Sequence, residues 1–316
     1  TDVKIKVVVT GICGSEVHAY HGKHAWRVPP LVSGHEFAGI VVEVGSDVTS
    51  VKVGDRVTAE PQYGCDDCPQ CRIGKYNICK NKKILGATYW SGSFGEYVVV
   101  PEKTVVHLGD DVSFEEGALI EPIAVGMHAV RERDVSIGQN ILIIGAGTIG
   151  LGVYLSAKIC NPSKIIVADV VDYNLEMARE LGCEYTINSM KEDLEAEVKK
   201  LTNGEGVDIT FLAFGNAPVV ESASKCTKEG GVISEIAVIP NGTGCPYNMI
   251  QVKQQSLIRS NMYVRKDYEV VVENMAKGHI DSKKMVSKIY PIEEFTAAME
   301  MADKRTEPVV KVMLKF

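Results

Sequence analysis

The chain has 316 residues, 45 % apolar and 24 % charged, with a formal net charge of −7. That length supports two domains, and the acidic balance argues against a general nucleic-acid binder. No apolar run reaches the roughly eighteen residues a membrane span needs, and no signal-peptide pattern opens the chain.

The first residues, VKIKVVVTG after Thr1-Asp2, read as the inside of a strand, so a truncated N-terminus is expected. Up to about residue 110 the chain consists of short β-type segments broken by glycine, such as FAGIVVEVG, VGDRVTAEP and GEYVVVPE. Repeated strands with this punctuation predict a barrel or sandwich. Within this region lie GICGSEVH, with Cys13, Ser15 and His18, and SGHEFAG, with His35 and Glu36.

Cysteines 65, 68, 71 and 79 follow as Cys-x2-Cys-x2-Cys-x7-Cys. Nine cysteines, four crowded and five scattered, do not form a disulfide framework in a chain this long. In a reducing cytosol the crowded ones read as metal ligands, and the protein is expected to be cytoplasmic. Four thiolates close the tetrahedral shell of Zn²⁺ and leave no position for substrate, which predicts a structural site ordering a lobe over about 62–84. A redox dithiol is the alternative. The densest basic run, KNKK at 80–83, reads as a solvated loop.

The character changes near Glu121, in LIEPIAVG. Beyond it strand-like and helical runs alternate, as NILIIGAG then TIGLGVYLSAKIC, and KIIVADV then DYNLEMARELG. Such alternation predicts a parallel sheet flanked by helices. Gly145, Gly147 and Gly150 form G-x-G-x-x-G between a strand and a helix. There the glycines give a tight turn, backbone approach to a pyrophosphate and close helix–strand packing. Thr148 and Ile149 would face the cofactor at the helix start. Asp169 ends the next strand, nineteen residues after Gly150. A carboxylate there accepts from both ribose hydroxyls and repels a 2′-phosphate, favouring NAD over NADP. From about residue 265 a helical stretch, DYEVVVENMAKG, precedes the strand-like tail PVVKVMLKF.

Chemistry requires an open metal site. Cys13, His35 and a carboxylate, Glu36 or Glu121, would leave a fourth position for water or an alcohol. Singly, these residues have ordinary readings as a buried thiol, a core histidine and ion-pair partners. Their occurrence beside a nucleotide motif and a zinc lobe reverses that.

Together, GICGSEVH, GHEFAGIVVEVG, VKVGDRV, the four-cysteine lobe, EEGALIEPIAVGMHA and GAGTIG resemble the zinc-dependent medium-chain dehydrogenases over nearly the whole chain. The IEPIAVG stretch is most similar to the polyol branch: sorbitol, iditol, galactitol-phosphate and butanediol dehydrogenases. The resemblance implies an α/β enzyme with two domains. A GroES-like β-barrel catalytic domain would span 1–123 and 265–316, and a Rossmann doubly wound parallel-sheet domain 124–264, with the active site in the cleft between. It implies NAD and two Zn²⁺ per chain. Cys13, His35 and Glu121 would sit on or near the catalytic ion, with Glu36 a ligand in some states and adjacent in others. A small-molecule alcohol or polyol substrate is implied, with neither nucleic acid nor membrane as partner. A homodimer or homotetramer would join nucleotide-domain sheets near GGVISEIAVI. The proton would leave through Ser15 and then His18.

The chain departs from the family pattern at Glu16, where Asp is usual, and at Ala19, where sorbitol-type enzymes tend to carry an aromatic. Asn174 stands where an Arg often follows the ribose-binding acid. L-Threonine 3-dehydrogenase and 2,3-butanediol dehydrogenase remain alternatives, as does a relative that binds nucleotide without turnover.

Overall fold

The computed structural model describes residues 1–87, 89–238 and 244–316. Ile239, the end of the segment expected at an interface, lies outside the described residues. These residues form two compact units: Thr1–Pro122 with Val264–Phe316, and Ile123–Tyr263.

The first unit opens with β1 (Asp2–Gly11), α1 (Gly14–Tyr20), β2 (Glu36–Val44) and β3 (Arg56–Ala59). A lobe follows, with β4 (Gln62–Tyr63), α2 (Pro69–Arg72) and β5 (Lys83–Ile84). Next come β6 (Tyr97–Pro101) and β7 (Val105–His107). Alternate residues Val3, Ile5, Val7 and Val9 of β1 are fully buried, the period of a strand with one face on a core. Val3, Ile5 and Val7 pack with Phe37, Val41, Val57, Val98 and Val100.

The helix α3 (Phe114–Glu132) begins with a capping box. Ser113 Oγ accepts from Glu116 N at 3.2 Å, and Glu116 Oε2 accepts from Ser113 N at 3.1 Å. Glu121 lies inside this helix, followed by Pro122, which cannot donate to the Ala118 carbonyl.

The second unit continues with β8 (Asn140–Ile144), α4 (Thr148–Lys158), β9 (Lys164–Asp169), α5 (Asp172–Glu180) and β10 (Tyr185–Asn188). After them come α6 (Leu194–Leu201), β11 (Val207–Leu212), α7 (Ala217–Cys226), β12 (Thr227–Glu235), α8 (Tyr247–Val252) and β13 (Ser256–Arg259). Its six strands lie in the order β10-β9-β8-β11-β12-β13, and every pairing is parallel. This is the doubly wound 3-2-1-4-5-6 order. Apolar runs such as NILII suit strands buried on both faces, and Leu142, Ile166, Ala168, Leu212 and Ile233 form the core.

The chain returns to the first unit with α9 (Arg265–Ala276), β14 (Val286–Pro291), α10 (Phe295–Lys304) and β15 (Lys311–Lys315). The main sheet there runs β14-β15-β1-β2-β3-β7, with β6 also on β1. One side of β1 carries β2. The other carries β6 along Asp2–Lys6 and β15 along Val9–Gly11. Register shifts between β1 and β2 interrupt the ladder twice, as bulges that curl a sheet do. No helix among the described residues is long and apolar enough to cross a membrane.

Candidate metal centres and nucleotide site

Cys65, Cys68, Cys71 and Cys79 converge in the lobe. Their Sγ separations are 3.5 Å (68–71), 3.6 Å (65–79) and 4.0 Å (65–71). A tetrahedron with Zn–S bonds of about 2.3 Å has edges of about 3.8 Å, so the four thiols fit one zinc. The backbone N–H groups of Asp67 and Cys68 hold the Cys65 thiol down at about 6, which favours the thiolate a metal requires. Asn81 N–H also donates to Cys79 Sγ at 3.4 Å. Tyr76, inside the lobe, donates to the buried Glu60 carboxylate at 2.7 Å and accepts from the Arg265 N–H, fastening the lobe to α9.

A second cluster lies in the same unit. Potential ligand atoms of Cys13, Glu16 and His35 all lie within 4.8 Å of one another, as do those of His35, Glu36 and Glu121. Cys13 stands at the N-cap of α1 and Glu36 begins β2, so a turn and a strand end present them. His35, Glu36 and Glu121 are buried. One thiol, one imidazole and carboxylates suit an open zinc site.

Around this cluster are three residues that sequence reasoning did not place there. Glu16 Oε1 accepts from His35 Nδ1 at 2.7 Å, which leaves Nε2 for a metal. Its other oxygen accepts from Cys13 N–H at 3.0 Å. The longer acid at the family's usual Asp position therefore ties Cys13 and His35 together. Burial opposes its charge, but His35 and Arg27 outweigh burial and hold the carboxyl at about 2. Arg27, also buried, lies 3.1 Å from Glu16 Oε1 and donates to the Gly86 carbonyl at 2.6 Å. Lys311 Nζ donates to both Glu36 oxygens, at 2.9 and 2.7 Å. Burial would lower the Lys311 pKa, but Glu36, Cys13 and Glu121 raise it instead. The signal available for Glu16 was its place three residues after Cys13. Arg27 and Lys311 carry no local signal.

Ser15 Oγ is buried without a hydrogen-bond partner among the described residues. His18 lies on the exposed side of α1.

In the second unit the glycine turn sits between β8 and α4. Gly145 has φ +98°, a conformation that disfavours side chains. A Cβ on Gly150 would lie 1.7 Å from the Gly145 carbonyl oxygen. One on Gly147, the N-cap of α4, would meet nothing within 4 Å. Open space at a helix N-terminus fits a pyrophosphate. Thr148 and Ile149 are half-buried at the start of α4. Asp169, at the end of β9, is held by backbone. Oδ2 accepts from Ala146 N–H at 2.6 Å, and Oδ1 from Val170 and Val171 N–H at 2.7 and 2.9 Å. Asn174 Nδ2 donates to Oδ2 at 3.2 Å. The next residues, Val170, Val171 and Asp172, offer no cation for a 2′-phosphate.

A closed tetrathiolate, an open thiol–imidazole–carboxylate centre and a dinucleotide turn on a parallel sheet define a metal-dependent oxidoreductase that uses a nicotinamide nucleotide. Residues 1–110 match the alcohol dehydrogenase GroES-like domain, and residues 148–277 match the zinc-binding dehydrogenase family. The chain belongs to the zinc-type, medium-chain alcohol dehydrogenases, and its two units have their GroES-like and Rossmann folds. It is 35 % identical to sorbitol dehydrogenase of Bacillus subtilis, over 99 % of this chain and 90 % of that protein. It is 34 % identical to D-arabitol-phosphate dehydrogenase of Enterococcus avium, over 99 % and 89 %. Among solved structures, an Escherichia coli oxidoreductase/dehydrogenase of unknown specificity superposes with a TM-score of 0.94. It is 35 % identical, over 99 % of this chain and 91 % of that one.

Proposed function

We propose that the protein oxidises a secondary alcohol of a polyol or sugar alcohol and passes the hydride to NAD. Residues 1–123 and 265–316 would form the catalytic domain and 124–264 the nucleotide domain. The observation that carries this reading is the pair of clusters that share the buried His35, one with Cys13 and Glu16 and the other with Glu36 and Glu121. Cys13, His35 and Glu121 would hold the catalytic zinc. Glu36 stays within reach while Lys311 engages its carboxylate. Cys65, Cys68, Cys71 and Cys79 would hold the structural ion.

Bound there, zinc acidifies a coordinated hydroxyl, and the oxidised dinucleotide accepts hydride. Glu16 fixes the His35 ring. Ser15, with its buried and unpartnered hydroxyl, takes the alcohol proton, and His18 on the exposed side of the same helix passes it to solvent. Asp169 orients the ribose, and Gly145, Gly147 and Gly150 let backbone approach the phosphates.

All nine cysteines are free thiols, which suits a reducing compartment, so we place the protein in the cytoplasm. The edge strand β13, with the part-exposed Ile258, suits pairing of nucleotide-domain sheets into a homodimer or homotetramer.

The test is NAD⁺ reduction over sorbitol, xylitol, galactitol and its 1-phosphate, 2,3-butanediol and L-threonine, each with and without a zinc chelator. Chelator-sensitive oxidation of a polyol is expected. Oxidation of threonine alone would overturn the polyol reading, and inactivity of the zinc-loaded protein on every member would overturn the substrate class.

A further inference from the structure

A cavity of about 490 Å³ opens in the first unit. Lys80, Lys82 and Lys83 line it, together with Trp26 and Tyr89. Among the described residues no carboxylate lines it, although the chain as a whole carries a net charge of −7. Lys80 and Lys83 are exposed and form no ion pair among the described residues. Lys83 Nζ lies 4.8 Å from the Tyr89 ring centroid. Lys82 is tethered by its ammonium to the Asn77 carbonyl at 2.5 Å, and burial lowers its pKa. The walls are the two segments that Arg27 joins. Its guanidinium lies 3.2 Å from His35 Nδ1 and donates to the carbonyls of Leu85 and Gly86. Trp26 precedes Arg27 in the chain, and Ile84 and Ala87 flank Leu85 and Gly86. The cavity therefore shares its walls with the segments packed on the metal-binding histidine.

A volume of this size is that of a small-molecule site. Ammonium groups without carboxylates suit a phosphate dianion, which lysine binds as a point charge. The exposed rings of Trp26 and Tyr89 offer apolar faces to the carbon chain of a polyol. A cavity of about 480 Å³ that Glu16 and Arg27 line differs in kind. Of its polar lining, Glu16, Arg27 and Ser33 are already bonded to one another.

We propose that the lysine-lined cavity binds the phosphate of a polyol phosphate, so that the substrate is a phosphate monoester rather than a free polyol. This rests on the polyol dehydrogenase reading above and narrows it. The physical rival is that these lysines only balance the formal charge of the adjacent tetrathiolate, since Cys79 also borders the cavity.

The experiment compares the zinc-loaded wild type with the double variant Lys80→Gln/Lys83→Gln. Both are assayed for NAD⁺ reduction by polyols and by their phosphate monoesters. Tryptophan fluorescence is titrated with inorganic phosphate in parallel, with Trp26→Phe identifying the reporting ring. The wild type is expected to favour the phosphorylated substrates. The double variant should lose about 10- to 100-fold in kcat/KM on those, mostly through KM, as expected for two charge-assisted contacts at a part-exposed site. Its activity on free polyols should stay within about twofold, and its phosphate-dependent quenching should vanish. A wild type without phosphate preference, or a preference that survives the double substitution, would overturn the proposal. So would a variant that sheds a zinc along with its phosphate response, because that assigns the lysines to the thiolate charge. If no alcohol is oxidised, the reaction reading fails by itself. The phosphate titration then still decides the cavity, and absence of quenching in the wild type sinks it.

Discussion

Replacing Glu60 by Gln is expected to stabilise the protein at neutral and alkaline pH, and to do so only there. Glu60 is 3 % exposed, and burial holds its carboxyl up at about 7 against an ordinary value of 4.5. Tyr76 and Arg265 favour the ionised form but do not outweigh burial. The folded chain therefore keeps a proton between pH 4.5 and 7 that the unfolded chain has released. Wild-type stability falls as pH rises through that window and stays lower above it. The displacement corresponds to about 3 kcal/mol. A glutamine keeps an acceptor for the Tyr76 hydroxyl and carries no charge to desolvate. Urea unfolding of zinc-loaded wild type and Glu60→Gln, from pH 5 to 9, reads the difference directly. Effects common to both proteins, such as acid release of zinc, cancel in the comparison. The curves should converge near pH 5 and separate by about 2–3 kcal/mol above pH 7. Parallel curves, or a variant that is weaker throughout, would refute the assignment of a buried and costly carboxylate.

Cys79→Ser should bind one zinc per chain instead of two by metal analysis and should lose thermal stability, since three thiolates leave the shell open. Glu16→Gln removes the carboxylate that fixes His35 and should weaken zinc retention at the catalytic centre by about 10- to 100-fold in a chelator competition, leaving the lobe's ion in place. Asp169→Asn should raise KM for NAD by about tenfold and narrow the preference over NADP, because one charge that repels a 2′-phosphate is gone; an unaltered cofactor ratio would remove Asp169 from that role. His18→Ala should lower turnover most at low pH, and a pH profile of unchanged shape would exclude it from the proton path.

The parts of this structure that were readable in the sequence are those whose partners lie close along the chain. The alternation of Val3, Ile5 and Val7 marks a half-buried strand without any knowledge of what covers it. The glycines at 145, 147 and 150 act within a single turn, and the four lobe cysteines span fifteen positions. The second metal cluster was legible as candidate ligands only, because its supports come from afar. Glu36 meets Lys311 across 275 positions, and that pairing exists only because β15 lies beside β1, next to β2. Arg27 looks like any loop arginine until the Gly86 carbonyl and the Glu16 carboxylate are seen on either side of it. The run KNKK shows the opposite limit. Its charges suggested a solvated loop, and nothing local says that Trp26 and Tyr89 complete a cavity around them.

The pairing of β1 with β15 also bears on the order in which the chain can fold as it is synthesised. Val9, Thr10 and Gly11 wait for Lys315, Leu314 and Met313, which follow them by 306, 304 and 302 positions (315 − 9, 314 − 10, 313 − 11). The second unit, by contrast, is one uninterrupted segment, Ile123–Tyr263, whose parallel strands need nothing outside it. On a ribosome that segment can finish its sheet while β1 still presents an unpaired edge. The nascent first unit is thus the aggregation-exposed part, and its closing step has the largest loop to close. Expression at lowered temperature, or with a holdase that covers strand edges, should improve the yield of folded protein by protecting this step.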